Sequence, residues 1–166
     1  MRTTHVATIS FLCLSVWACA GSLETVDTRP IDPVLISPSM AASLDHDGFV
    51  PMQVFDLMET ESGPVVVLAD PDIGTILPIW IGNAEALTIA LRLHGEVFDR
   101  PLTHDLFDAL VRETGAVVAE VRLDSLVGEA FAASVLLESD GRLIWLDSRA
   151  WDSIAMGLSP QVPTYA

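Results

Sequence analysis

Eight residues in three separate stretches are of types that do chemistry: Glu85; then Arg100, Thr103, His104 and Asp105; then Asp147, Arg149 and Asp152. Histidine is the side chain whose ordinary pKa lies nearest neutrality, which suits His104 to general acid or base work. The planar guanidinium forks of Arg100 and Arg149 suit phosphate oxygens. Carboxylates at Glu85, Asp105, Asp147 and Asp152 are oxygen ligands of the kind that hold a hard divalent ion such as magnesium or manganese.

Each has a structural reading beside the chemical one. Thr103-His104-Asp105 reads as a helix start, with a hydroxyl cap followed by an acid that the helix dipole favours. Glu85 falls in the first turn of another predicted helix, where the same dipole accounts for it. Arg149 and Asp152 lie three apart and can pair along a helix. Trp80 and Trp145 are expected to fill the core. No Gly-x-Ser-x-Gly elbow, phosphate loop, His-Glu-x-x-His or EF-hand pattern is present.

The elements that must position these residues follow from periodicity. Strands are predicted at 52–57, 65–69 and 75–81, with Val65-Val66-Val67-Leu68 continuous enough for a strand buried on both faces. Asn83 is the expected cap of a helix ending at His94-Gly95. A second helix is predicted from Thr103 to about Gly115, burying Leu106, Phe107, Leu110 and Val111. Strands at 117–123, 130–137 and 142–146 follow, then a helix carrying Trp151, Ile154, Ala155 and Leu158, and a short strand within 162–165. Ile79-Trp80-Ile81 is followed after six residues by Thr88-Ile89-Ala90-Leu91, and Ile144-Trp145-Leu146 after the same interval by Ser153-Ile154-Ala155-Met156. This match predicts an α+β fold of duplicated strand-strand-strand-helix units, with an extra helix between them and a mixed or antiparallel sheet packed against helices.

The chain of 166 residues has room for one domain plus targeting and tethering segments. Arg2, the apolar run Val6–Trp17 and small residues at 18–21 have the three-part layout of an export signal, too short for a comfortable membrane span. Val16-Trp17-Ala18-Cys19 resembles a bacterial lipobox, which makes Cys19 the acylated first residue of the mature protein. Ala18-Cys19-Ala20 also fits an ordinary cleavage site, and both readings stand. The expected organisation is a signal with lipobox at 1–19, a flexible Pro- and acid-containing linker at 20–49, and a folded domain at 50–166, exported to the cell envelope and tethered to its membrane.

Charge narrows the partners. Eight arginines and no lysine stand against 23 acidic residues, a formal net charge of -15. Such a surface repels polyanions and disfavours avid nucleic-acid binding, which draws on clustered cations. Both cysteines, Cys13 and Cys19, precede the folded part, so thiolate zinc sites and redox pairs are excluded from it.

Leu77-Pro78-Ile79-Trp80-Ile81-Gly82 with Glu85-Ala86, then Arg100-Pro101-Leu102-Thr103-His104-Asp105-Leu106, then Asp147 to Ala155 together resemble the bifunctional nuclease domain family, once catalogued as a domain of unknown function. The resemblance covers nearly the whole folded part. It implies hydrolysis of phosphodiester bonds in DNA or RNA, with His104, Asp105 and Asp152 catalytic, Arg100, Thr103 and Arg149 on the substrate, and Glu85 and Asp147 on a divalent metal. It also implies a homodimer. Ala150 and Trp151 depart from the family pattern, standing where it has proline and serine, which removes a preorganised first helical turn and a hydroxyl. A non-catalytic envelope lipoprotein, using the same cleft to bind an anionic ligand or a protein partner, is the alternative from a different class.

Overall fold

The computed structural model describes residues 44–96, 98–159 and 161–166. The predicted signal, Cys19 and residues 20–43 of the predicted linker lie outside them. Among the described residues no helix is long and apolar enough to cross a membrane.

In chain order the elements are β1 (Pro51–Thr60), β2 (Gly63–Ala69), β3 (Ile76–Trp80), α1 (Asn83–His94), α2 (Thr103–Glu113), β4 (Val117–Val127), β5 (Ala130–Ser139), β6 (Arg142–Arg149), α3 (Ala150–Leu158) and β7 (Thr164–Tyr165). The strands form one sheet in the order β3-β2-β1-β7-β4-β5-β6. Two antiparallel three-strand meanders therefore sit on either side of β7, which pairs antiparallel with β1 and parallel with β4. This is the predicted α+β architecture, with the duplication visible as two outer strands, β3 and β6, each leading into a helix.

Local chemistry explains the turns. The β5–β6 hairpin closes on Asp140-Gly141, both with positive φ (52° and 73°), the backbone that a two-residue turn between twisted strands requires. Between β2 and β3, the buried Asp70 accepts hydrogen bonds from the backbone N–H groups of Asp72 (2.7 Å) and Ile73 (3.2 Å), satisfying a loop that the sheet cannot. Pro64 to Leu68 are all buried, so both faces of β2 are covered, as the continuous apolar run predicted.

Ile89 of α1 and Ile154 of α3, the paired isoleucines of the repeat, meet in one core with Val66, Leu68, Ile79, Leu123 and Ala133 from both halves of the sheet. Burying each contributes about 1.5–3 kcal/mol. The two helices pack on each other. A second cluster, Val118, Val121, Val135 and Met156, continues this core toward α2.

Several expectations are corrected. The cap of α1 is Gly82, not Asn83, and that of α2 is Leu102, not Thr103; neither provides a side-chain cap. At α2 the capping role passes to Asp105, which reaches back to accept the Leu102 N–H at 2.8 Å. Trp80 and Trp145 are 57% and 42% exposed rather than core-filling, because both lie on edge strands. The helix α2 is turned relative to expectation: Leu106, Phe107 and Leu110 are exposed, while Asp108 is buried. Packing also reaches back before residue 50. His46 stacks on Tyr165 at 4.2 Å and hydrogen-bonds Glu120 at 2.8 Å, and Arg122 lies over the rings of both Phe49 and Trp145.

Candidate active site

The inward-facing acids of α2 meet a buried cation. Arg92 of α1, nearly inaccessible, donates from Nη1 to Asp108 Oδ2 (2.9 Å) and to the Ala155 carbonyl (3.0 Å), and from Nη2 to Asp105 Oδ1 (3.0 Å). One guanidinium thus ties α1 to α2 and α3, and it draws the acidic stripe of α2 inward. Burial still pushes the Asp108 carboxyl above its ordinary value, with Arg92 opposing the shift. The apolar stripe of α2, Phe107 and Val111 one turn apart, is thereby aimed across a gap at the sheet.

That gap is a cavity of about 1060 Å³ between α1, α2, the β4–β5 hairpin, β6 and the start of α3. Leu87, Phe107, Val111, Phe131, Val135 and Leu146 are among its apolar walls. Its polar residues include six of the eight singled out in the sequence: Glu85, Thr103, His104, Asp147, Arg149 and Asp152. The fold brings them together because α1 and α2 present their first turns to the junction where β6 runs into α3.

Asp152 is the hub. Its Oδ1 lies 3.1 Å from His104 Nε2, and its Oδ2 accepts from Arg149 Nε at 2.6 Å. A carboxylate only accepts, so the first bond requires Nε2–H to donate; in the tautomer with that proton alone, Nδ1 is the ring's acceptor. Asp152 holds the proton of Arg149 more tightly, first through the hydrogen bond and then through its charge. Arg149 caps α3 from extended backbone and lies over the Trp151 ring at 5.2 Å, with its side chain mostly exposed. Trp151, a departure from the family pattern, therefore supports the guanidinium. Ser148 also lines the cavity and hydrogen-bonds the buried Ser153.

Two of the eight are not brought to the cavity. Asp105 faces Arg92 and the α2 N-terminus, a positioning and capping role that the burial of Arg92 enforces. Arg100 is exposed on the segment before α2 and does not line the cavity. Among the described residues no three His, Cys, Asp or Glu side chains group to hold a metal ion. Glu85 and Asp147 both line the cavity.

Sequence reasoning missed Ser148, which it passed over beside Asp147, and the organising role of Arg92. The spacing of Asp105 and Asp108, three apart on one helix, was the signal available for a buried cation facing them.

Two uncharacterized proteins of Mycobacterium tuberculosis, from strains CDC 1551 and H37Rv, are each 37% identical to this chain over 107 residues. The match covers 64% of this chain and 63% of each relative, so the chain spans somewhat less than two thirds of those proteins. The family sequence profile described as "Bifunctional nuclease domain" matches residues 66–166, from β2 through the sheet, the cavity and β7. On that match, the chain belongs to the bifunctional nuclease domain family.

Proposed function

We propose that this protein hydrolyses phosphodiester bonds, with DNA or RNA as the substrate class that its family suggests, at the site where His104, Asp152 and Arg149 meet. The observation that carries this reading is Asp152 bridging its near neighbour Arg149 and a histidine 48 residues before it in the chain. Neutral Nδ1 of His104 takes the proton of an attacking water as the new P–O bond forms. Asp152 fixes the ring's tautomer and balances the imidazolium charge. The Nη groups of Arg149, not used in its bond to Asp152, face the charge gathering on the phosphoryl oxygens. The P–O ester bond breaks and its oxygen is protonated from solvent.

The experiment is to incubate the full-length chain with single-stranded and duplex DNA and RNA, in magnesium, manganese or chelator. Hydrolysis by the native protein that His104→Ala leaves unchanged rules out this site.

Export and acylation at Cys19 belong to the same proposal, supported by the order of Arg2, the apolar run and the small residues around Cys19. Expressed in a bacterium fed a labelled fatty acid, the chain is expected to take up label and Cys19→Ser to take up none; unlabelled wild type removes the anchor. The homodimer is supported by Leu106 and Leu110, 66% and 57% exposed one turn apart on α2. Light scattering is expected to give twice the chain mass, and Leu106→Glu with Leu110→Glu to give one; a monomeric wild type removes the dimer.

A further inference from the structure

The cavity is too apolar, and its rim too acidic, to be explained by nucleic acid alone. Glu85, Asp147 and Asp152 face one arginine there, and Asp152 is already paired with it. The remaining two carboxylates form no ion pair among the described residues, although the charge of Glu85 also acts on Arg149. Three carboxylates against one guanidinium leave the rim net negative, which disfavours a polyanion and attracts an ammonium group. Arg149 keeps its two Nη groups for one phosphate. Behind this rim side chains such as Phe107, Val111, Phe131 and Leu146 line an open cleft of a volume at the upper end of the range for small-molecule pockets.

We propose that the cavity binds an amphiphile with one long hydrocarbon chain and a zwitterionic phosphate–amine head, the chemistry of a single-chain phospholipid. The chain lies against Phe107 and Phe131, the phosphate at Arg149, and the ammonium at Glu85 and Asp147. Fatty acids and lysophosphatidic acid share the chain but bring only negative charge to that rim. Alkyl-trimethylammonium shares the chain and the cation but leaves Arg149 unanswered. This inference concerns binding alone and stands whether or not phosphodiester hydrolysis occurs.

The test uses the full-length chain carrying Cys19→Ser, so that no detergent is needed to keep an acylated protein in solution. Calorimetric titration with lysophosphatidylcholine below its critical micelle concentration is expected to show saturable binding. It should be at least ~10-fold tighter than for a fatty acid of equal chain length, a difference of about 1.4 kcal/mol. Phe107→Asp puts a charge on the apolar wall at an exposed position that folding tolerates, and is expected to weaken binding about 10-fold or more. Arg149→Met should erase the preference for lysophosphatidylcholine over alkyl-trimethylammonium. Absence of saturable binding, equal affinity for the fatty acid, or indifference to Phe107→Asp overturns the proposal. So does a dimer that Phe107→Asp dissociates while no lipid binds, since the occupant is then a second copy. Loss of nucleic-acid hydrolysis in His104→Ala without lipid binding leaves the catalytic reading in place and removes only this one.

Discussion

Replacing His104 with alanine is expected to lower the rate of phosphodiester hydrolysis about 10²–10⁴-fold, the usual contribution of one positioned acid–base group. The fall should appear in kcat with KM little changed, because the imidazole acts on the proton in flight rather than on the bound substrate. Asp152→Asn retains an acceptor for His104 and removes the charge that balances an imidazolium, so kcat falls here too. Arg149→Met should act differently and raise KM as well, through loss of the phosphate fork. A structural role for His104 predicts the same loss of activity, so the decisive readout is rescue. Free imidazole is expected to restore part of the activity of His104→Ala and none of that of Asp152→Asn. A His104→Ala protein that melts with the wild type, keeps its activity and ignores imidazole removes His104 from the chemistry.

Arg92→Met is expected to have the largest effect on stability, about 3–5 kcal/mol, because it leaves the Asp108 charge buried without its partner. The pH dependence has a defined sign. Burial already raises the Asp108 carboxyl above 3.8, so the native state holds that proton more tightly than the unfolded chain. Its contribution to stability is fully present below the unfolded pKa and is lost as pH rises through the raised native value. Without Arg92 to oppose the shift, the native value rises further. The gap between variant and wild type in urea unfolding should therefore be widest at neutral pH and narrow as pH falls toward 4. Pairing Arg92→Met with Asp108→Leu removes the orphaned charge and is expected to recover much of the loss, though Asp105 then keeps only its α2 cap. A single variant within about 1 kcal/mol of wild type at neutral pH would show that the node holds nothing together.

Both predictions depend on the way α2 is rotated, which its sequence pattern misstated. Leu106, Phe107, Leu110 and Val111 have helical spacing, and periodicity alone assigns that stripe to the core. A stripe identifies which residues share a face; it carries no information about which element the face meets. Here an arginine from α1 meets the acidic face of α2, and of the apolar stripe only Val111 packs against the core, while Phe107 lines the cavity and Leu106 and Leu110 meet solvent. The tryptophans went astray for a related reason. Trp80 and Trp145 sit in apolar runs, yet on the outermost strands one side of the run has no neighbour to be buried against.

What the sequence determined by itself is the order and type of the elements, the duplicated strand-strand-strand-helix units, and the family. These rest on local properties: strand and helix periodicity, turn residues such as Asp140-Gly141, and short motifs whose spacing survives without coordinates. The tertiary structure alone decided which of the eight chemical residues meet. His104, Asp152 and Arg149 converge because α2 and the β6–α3 junction are packed together across 48 residues of chain, whereas Asp105, one position from His104, points into a different environment. Neighbours in a helix diverge by about 100°. Adjacency in sequence therefore separated that pair, and packing between distant segments made the site.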